Sequence, residues 1–297
     1  MTLAKHVELG KQNGVQLLTT LIHPTAVIHP GAQLHPTVRV GAYAVVGERV
    51  KVGAGTVIGP HVVLEGWTEI GERNQFFPGA AIGLEPQDLK YDGSISLVKI
   101  GDGNRFREYV TINRATEASG TTTIGNNNLL MAYVHVGHNC ALGDHIVIAN
   151  AVSLAGHVRI ESNAVIGGVL GIHQFVHVGR LAMVGGMSRI DRDVPPFMLV
   201  EGNPARVRSL NLVGLRRSGL MDQENGSEFR QLKQAFRLLY RSGLPFADGL
   251  AQVRELVART SPHSASGKLL EHLVNFLQAS IAPNRRGLIP GRGRSRD

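Results

Sequence analysis

Residues 22–52 read IHPTAVIHPGAQLHPTVRVGAYAVVGERVKV, with an aliphatic side chain at every sixth position. The same step continues to Ile190, and 26 of the 29 positions that it visits from Ile22 hold Ile, Val, Leu or Phe. The period stays in phase across its three exceptions, Asp88, Ser94 and Ala118. A short fixed period predicts a stacked repeat, and six residues accommodate one short strand and one turn.

Three such units make one triangular coil of 18 residues, so stacked coils would form three parallel sheets. We therefore predict a mainly β fold, a left-handed parallel β-helix of hexapeptide repeats over residues 22–204, with the periodic residue pointing into an aliphatic column. The small residue four places later, such as Ala44 or Thr56, is expected to fill the corner. Gly follows the periodic residue 13 times, and we expect it to supply unusual backbone angles at turns.

The C-terminal third differs in charge and in period. Residues 205–297 hold 16 Lys or Arg and 7 Asp or Glu, so they carry the whole positive excess of a chain with net charge +8. Apolar residues at helical spacing predict three helices, around residues 229–240, 246–256 and 269–277. Besides the repeat, we predict an N-terminal arm of undetermined order (1–21), a basic α-helical domain (205–284) and a disordered Arg/Gly-rich tail (285–297).

Composition narrows the class of protein. The single cysteine, Cys140, excludes an intrachain disulfide and favours a reducing, cytoplasmic compartment. The sequence has no long apolar run and no secretory signal, so we predict no stable membrane insertion. A basic domain can bind nucleic acid, an anionic surface or an acidic partner. Since no nucleic-acid motif occurs, we predict no nucleic-acid partner, and an acidic protein and a diphosphate substrate explain the charge best.

Histidines concentrate in the middle of the repeat. The 18-residue coil relates several of them, because two steps from His138 reach Gly156 and Gln174, and one step from Asn139 reaches His157. One face over three coils is therefore expected to collect His138, Asn139, Gly156, His157, His173 and Gln174. Histidines in surface turns are common, and we assign no function to His29 or His35. A stacked set outside the aliphatic column is typical of a site on a rigid scaffold.

Imidazole is the usual general base at neutral pH. The sequence offers no nucleophile elbow and no Ser-His-Asp order, and Cys140 falls on the small inward position. A base without a protein nucleophile suits direct attack of a substrate hydroxyl on an activated acyl group. A backbone N–H of a glycine-containing turn could then stabilise the oxyanion.

A series of motifs, in order along Ile22 to Ile289, resembles the acyl-[acyl-carrier-protein]–UDP-N-acetylglucosamine O-acyltransferase family. These motifs are Gln87-Asp-Leu-Lys-Tyr91, Gly101-Asp-Gly-Asn, His135-Val-Gly-His138, Leu154-Ala-Gly-His157, Ile172-His-Gln-Phe175, Met183-Val-Gly-Gly186, Asp193-Val-Pro-Pro196 and Leu210-Asn-Leu-Val-Gly-Leu-Arg-Arg217. The resemblance implies transfer of an (R)-3-hydroxyacyl chain from acyl carrier protein to the 3-hydroxyl of UDP-N-acetylglucosamine, the first step of lipid A biosynthesis. It also implies a homotrimer with sites between subunits, and no cofactor beyond the phosphopantetheine of the donor.

The resemblance also implies roles for individual residues. His138 matches the general base, and the N–H of Gly156 matches the oxyanion donor. Gly186 matches the position that limits acyl chain length. The residues that match contacts to the sugar, phosphate or nucleotide are Asp88, Lys90, His135, His157, His173, Gln174, Asn211 and Arg217.

Four positions depart from the family pattern. Asn139 stands where Asp is frequent, Asn113 where His is frequent, Val213 where an acidic residue is frequent, and Ser218 where Arg is frequent. Because the His-Asn pair resembles related N-acyltransferases, an N-acyltransferase or an amino-sugar acceptor stays an alternative. Those relatives normally carry a separate N-terminal domain, for which a repeat starting at Ile22 leaves little room. Two further alternatives are a carbonic-anhydrase-like zinc site and a non-catalytic solenoid; the zinc ligands would be His135, His138 and His157.

Overall fold

The structure is a computed structural model that describes residues 21–221 and 226–291. Most of the predicted N-terminal arm (1–20) and the end of the predicted tail (292–297) lie outside the described residues. No helix of the described residues is both long enough and apolar enough to cross a bilayer.

Short strands follow one another along the repeat, and four helices follow them. The strands are β1 (Leu21–Ile22), β2 (Val27–Ile28), β3 (Gln33–Leu34), β4 (Arg39–Val40), β5 (Val45–Val46), β6 (Val50–Val52), β7 (Val57–Ile58), β8 (Val63–Leu64), β9 (Trp67–Ile70), β10 (Gln75–Phe76), β11 (Ala81–Leu84), β12 (Leu97–Ile100), β13 (Arg105–Phe106), β14 (Thr111–Asn113), β15 (Thr121–Ile124), β16 (Leu129–Leu130), β17 (His135–Val136), β18 (Ala141–Leu142), β19 (Val147–Ile148), β20 (Val152–Leu154), β21 (Arg159–Ile160), β22 (Val165–Ile166), β23 (Leu170–Ile172), β24 (His177–Val178), β25 (Met183–Val184), β26 (Met198–Gly202) and β27 (Ala205–Leu210). The helices are α1 (Leu212–Arg217), α2 (Ser227–Tyr240), α3 (Phe246–Arg259) and α4 (Ala265–Ser280).

Every third strand pairs in parallel, which gives three sheets and confirms the predicted left-handed parallel β-helix. Sheet 1 contains β1, β4 and each third strand to β25, and then β26 and β27. Sheet 2 runs from β2 to β23, and sheet 3 from β3 to β24. Partners are 18 residues apart in most of the repeat, as in the pairing of Val136 with Leu154. Each coil therefore lies directly over the next.

The periodic residues form the predicted aliphatic column. From Val40 onward, those in strands are buried, and Ile58, Leu64, Ile82 and Ile148 are at most 1% exposed. The small residue four places on is buried as well, as at Ala44 and Thr56. Cys140 occupies this inward position, where burial raises the pKa of its thiol to about 12, so it is a core residue.

The glycine after the periodic residue has a different role from the predicted one. Among these 13 glycines only Gly83 has a positive φ, whereas the residue three places after the periodic residue is left-handed in most turns, as at Asn139 and His157. The glycine is required by close approach, because a Cβ on Gly53 would lie 2.6 Å from the carbonyl oxygen of Gly71 in the next coil.

Two excursions explain the three exceptions to the period. Ile70 pairs with Ile100, and Ile100 with Ile124, so these coils are 30 and 24 residues long and contain 12 and 6 extra residues. The first excursion (85–96) contains Asp88 and Ser94, and the second (114–120) contains Ala118. The 12 and 6 extra residues are both multiples of six, so the phase is kept. Both excursions connect a strand of sheet 2 to the following strand in sheet 3, so they lie on the same corner of the β-helix.

The C-terminal region departs from the sequence prediction at both of its boundaries. Residues 205–210 form β27, which pairs antiparallel with β26, so the helical region begins at Leu212 rather than at 205. The predicted tail is ordered over 285–291: Arg285 lies 2.6 Å from Asp193, and Ile289 is 1% exposed. Helices α2, α3 and α4 cover the three predicted helical segments.

A carboxylate joins the β-helix to the helical region. Glu161 lies 3.0 Å from His177 in β24 and 2.8 Å from His272 in α4, and it accepts the backbone N–H of Arg180. Burial alone would raise the pKa of Glu161, but the hydrogen bonds from His177 and His272 outweigh it and lower the pKa from 4.5 to about 2.

Replacing Glu161 with Gln is expected to lower the free energy of unfolding at neutral pH by roughly 1–3 kcal/mol, since hydrogen bonds to a charged acceptor are lost. Because the pKa is depressed in the folded state, the carboxylate stabilises the fold above pH 4.5, and this contribution disappears as the pH falls toward about 2. Urea denaturation should show that the difference in free energy of unfolding between wild type and variant decreases as the pH falls through this range. The exposed Glu255→Gln on α3 is the control, and a gap independent of pH would contradict the assignment.

Candidate active site

The predicted site lies on the corner between sheets 2 and 3, in the turn from β17 to β18. His138 occupies this turn, and the turns of the next two coils hold Gly156 and Gln174 at the equivalent positions. Backbone hydrogen bonds stack the three turns, since His157 donates to His138 O at 2.9 Å and Phe175 to Gly156 O at 3.2 Å. The sequence prediction that these residues share one face is confirmed.

The imidazole of His138 is held on both sides. Its Nδ1 lies 2.9 Å from Oδ1 of Asn139, and its Nε2 lies 3.6 Å from Oδ2 of Asp88. The side chain is only 13% exposed. A ring with one nitrogen fixed by a neighbouring amide and the other turned toward a carboxylate is suited to proton transfer.

Gly156 packs directly beneath this ring. A Cβ at Gly156 would collide with Cε1 and Nε2 of His138, so the imidazole can occupy this place only while residue 156 is glycine. Its N–H donates to no acceptor within the described part of the chain. An unpaired N–H beside the base is the arrangement that an oxyanion site requires.

Two further histidines surround His138. His157 makes an edge contact with it at a ring distance of 5.2 Å and stacks on Phe175 at 4.6 Å. Burial lowers the pKa of His157, and the nearby His138 lowers it further. His135 projects from β17, where its Nδ1 bonds to Thr111 at 2.7 Å, and burial followed by the proximity of His138 lowers its pKa too. Both rings are thus biased toward the neutral form.

The first excursion delivers Asp88 to the site. Asn113 donates to Glu85 O at 2.8 Å, and the guanidinium of Arg114 bonds to Gly83 O and to the hydroxyl of Tyr91. These contacts fasten the first excursion to the end of β14 and to Arg114, the first residue of the second excursion. Asn113, a departure from the family pattern, therefore acts as an anchor. Lys90 lies on the same excursion and is exposed, and its backbone N–H donates to Asp88 Oδ1 at 2.9 Å.

The third stacked turn contains two predicted residues, His173 and Gln174, which differ in whether their side chains are free to bind a substrate. His173 donates through Nδ1 to Gln174 O at 3.2 Å, and its Nε2 lies 3.1 Å from Arg286, so both of its nitrogens have partners in the chain. Gln174 is exposed.

Gly186 lies on another corner, between sheets 1 and 2, where a Cβ would be 3.2 Å from Gly168 O.

Asn211 and Arg217 lie away from His138, against sheet 1. They line a cavity of about 580 Å³ between α1 and the outer residues of β22, β25 and β26. Asn211 caps α1 by accepting from Gly214 N at 3.0 Å and donates to Leu181 O at 2.9 Å. Its side chain is thus committed to the fold, whereas Arg217 is exposed, as are Val213 and Ser218. A single chain does not bring this cavity and the His138 corner together.

The sequence prediction missed the second excursion. Thr116 and Glu117 both contact the amide of Asn139, at 3.1 and 2.7 Å. The only available signal was the gap in the period at Ala118, which showed that a loop exists but not where it folds. The proposed zinc ligands do not converge: in the described ranges no three His, Cys, Asp or Glu side chains are placed to hold a metal ion.

Comparison with known proteins gives matches along nearly the whole chain. Residues 121–156 match the bacterial transferase hexapeptide family (six repeats), and residues 193–289 match domain 2 of the UDP N-acetylglucosamine O-acyltransferase family. The acyl-[acyl-carrier-protein]–UDP-N-acetylglucosamine O-acyltransferases of Synechocystis sp. and Gloeothece citriformis are 60% and 59% identical over 280 and 276 residues, which cover 94% and 93% of this chain and 97% and 96% of theirs. The crystal structure of the UDP-N-acetylglucosamine O-acyltransferase from Moraxella catarrhalis RH4 matches with a TM-score of 0.81 and 39% identity, covering 90% of this chain and 99% of that one.

Substitution of Gly156 by Ala is expected to displace the His138 ring, because the new Cβ would occupy the position of the imidazole. Histidine resonances in a ¹H–¹⁵N spectrum should therefore shift for His138 and His157 while the melting temperature changes little. Gly171→Ala is the control for stability and for these resonances, since a Cβ there meets nothing within 4 Å. An unchanged His138 signal in the Gly156 variant would contradict the packing described.

Proposed function

Since the chain belongs to the acyl-[acyl-carrier-protein]–UDP-N-acetylglucosamine O-acyltransferase family, we propose that it transfers an (R)-3-hydroxyacyl chain from acyl carrier protein to the 3-hydroxyl of UDP-N-acetylglucosamine, the first step of lipid A biosynthesis. One observation carries the assignment of the site: the imidazole of His138 stands beside the unpaired N–H of Gly156, on the corner where the two excursions meet. Base and oxyanion donor are the two groups that direct acyl transfer needs.

The reaction is a direct displacement. Nε2 of His138 removes the proton of the sugar 3-hydroxyl as that oxygen attacks the thioester carbonyl. The N–H of Gly156 donates to the oxyanion. When the tetrahedral intermediate collapses, the C–S bond breaks and the leaving thiolate of phosphopantetheine takes the proton from the imidazolium.

Substrate binding is proposed for the residues around this pair. Asp88, 3.6 Å from Nε2, is placed to accept from the sugar and to stabilise the imidazolium. His135, His157, Lys90 and Gln174 surround the same corner and suit the sugar and diphosphate. His173 would act indirectly, because Gln174 and Arg286 occupy its nitrogens. For Asn211 we propose a supporting role in the nucleotide subsite, as the cap of the helix that presents Arg217.

We propose that the chain assembles as a homotrimer, the state that the family resemblance implies, because the geometry calls for more than one copy. The His138 corner joins sheets 2 and 3, whereas the cavity with Arg217 lies against sheet 1. One substrate can contact both only if a second copy supplies one of them. On α2, Lys233 and Arg237 are exposed one turn apart, and such a pair of positive charges suits an acidic carrier protein. Such a carrier and a nucleotide sugar place the proposed reaction in the cytoplasm.

The proposal predicts a defined product. Purified protein with UDP-N-acetylglucosamine and a ladder of (R)-3-hydroxyacyl carrier proteins should yield the 3-O-acylated nucleotide sugar by mass. His138→Ala should lower turnover by about 10²–10⁴-fold without dissociating the assembly, the range for loss of a general base. His35→Ala, in an exposed turn of the first coils on a different corner of the β-helix, should be fully active. Product only with the 3-amino analogue would favour the amino-sugar alternative, and substantial activity of the His138 variant would remove it as the base.

Gly186 is proposed to limit acyl chain length. Sheet 2 separates its corner from that of His138, and the outer face between them carries the small residues Ser153 and Gly171. Gly186→Met should fill the end of this surface and shift the preferred donor to a shorter chain. The shortest rungs of the ladder should react as in wild type. An unchanged preferred chain length would show that another residue limits the acyl chain.

A further inference from the structure

The amide of Asn139 has one orientation that satisfies all of its neighbours. Its Oδ1 accepts from the backbone N–H of Thr116 at 3.1 Å, and its Nδ2 donates to Oε1 of Glu117 at 2.7 Å. A backbone N–H can only donate and a carboxylate can only accept, so these two partners determine which end of the amide is oxygen.

This orientation determines the tautomer of His138. Because Oδ1 of Asn139 faces Nδ1 at 2.9 Å, Nδ1 must carry the proton. The lone pair then lies on Nε2, the nitrogen that faces Asp88. If the amide were reversed, Nδ2 would donate to Nδ1, and the proton would move to Nε2, which could no longer act as a base.

Glu117 is held in place by its own neighbour. The hydroxyl of Thr116 lies 2.9 Å from Oε2, while Oε1 receives the amide of Asn139. The Thr116 hydroxyl is the main cause that lowers the pKa of Glu117, so the carboxylate is charged at neutral pH. A negative charge therefore lies one amide away from the imidazole of His138.

The other ionisable groups around His138 differ in position. Asp88 approaches from the first excursion on the Nε2 side, where the substrate must bind. His157 and His135 come from neighbouring strands and turns, and their pKa values are lowered mainly by burial. Glu117 is therefore the carboxylate on the Nδ1 side, connected to the ring through Asn139.

We propose that Glu117 is a positioning residue: its carboxylate fixes the amide of Asn139 and, through that amide, supplies the negative charge behind the base that an adjacent aspartate would otherwise provide. This inference rests on the proposed function for its kinetic consequence only. The second excursion thereby supplies the negative charge that the neutral side chain of Asn139 lacks.

The first test separates charge from orientation. Glu117→Gln keeps an oxygen that can accept from Asn139 but removes the charge, whereas Glu117→Ala removes both. Relative to wild type, we expect kcat to fall several-fold in the Gln variant and further in the Ala variant, with KM for UDP-N-acetylglucosamine unchanged. The acidic limb of the kcat/KM profile should move to lower pH in both, because loss of a nearby negative charge favours the neutral ring. Glu255→Gln, an exposed carboxylate on α3, is the matched control.

The second test reverses the sign of the effect. In the N139D variant a carboxylate adjoins His138 directly. The charge of Glu117 then lies at contact distance from this new carboxylate, which carries the same sign. We therefore expect E117Q to slow the wild-type background but to be neutral or beneficial in the N139D background. Equal losses in both backgrounds would mean that Glu117 only supports the loop, and no change in either would overturn the proposal.

A ligand-free measurement keeps this inference separate from the proposed function. ¹⁵N shifts of the His138 ring should report the Nδ1–H tautomer in wild type and E117Q, and a mixture of tautomers in E117A. If wild type forms no product with either acceptor, the proposed function fails, yet the tautomer result still tests Glu117. An identical tautomer in all three proteins, with unshifted pH profiles, would refute the positioning role.

Discussion

The backbone hydrogen bonds between successive coils are the interaction on which the rest of the molecule depends. Most strands contain only two to four residues, so no strand is stable without its neighbours, and each coil is held by the ones above and below it. Pairing such as Val136 with Leu154 and Leu154 with Ile172 places like positions directly over one another. The aliphatic column and the stack of His138, Gly156 and Gln174 are two results of this single register.

The register explains why so much could be predicted from sequence. Once the period was known, simple addition placed His138 and Asn139 over Gly156 and His157, and the structure shows the His138 ring against Gly156 and the His157 N–H bonded to His138 O. The period also separated inward from outward positions, so Cys140 could be assigned to the core. Helical spacing likewise located α2, α3 and α4, because each has an apolar face of its own.

What the sequence could not show lies where the period gives no information. Glu117 is an exposed charged residue in a loop, and nothing in its neighbours signals that it reaches Asn139. The glycines after the periodic residue looked like turn glycines, although the demand on Gly53 comes from a carbonyl 18 residues away. Residues 285–291 have the composition of a flexible tail, yet Ile289 is buried against another part of the chain. Each case depends on a long-range contact.

The two excursions have lengths that matter for more than the site they serve. Because 12 and 6 extra residues are whole multiples of the repeat, every later inward position keeps its place. Insertions at the corners of the β-helix therefore obey a reading frame of six residues, which decides whether later side chains point inward or outward. A block of six residues can enter or leave a corner and alter only a loop, whereas a single inserted residue would turn the following strands inside out until a second change restored the frame. Loops of this protein can thus diversify in steps of six while its core stays the same.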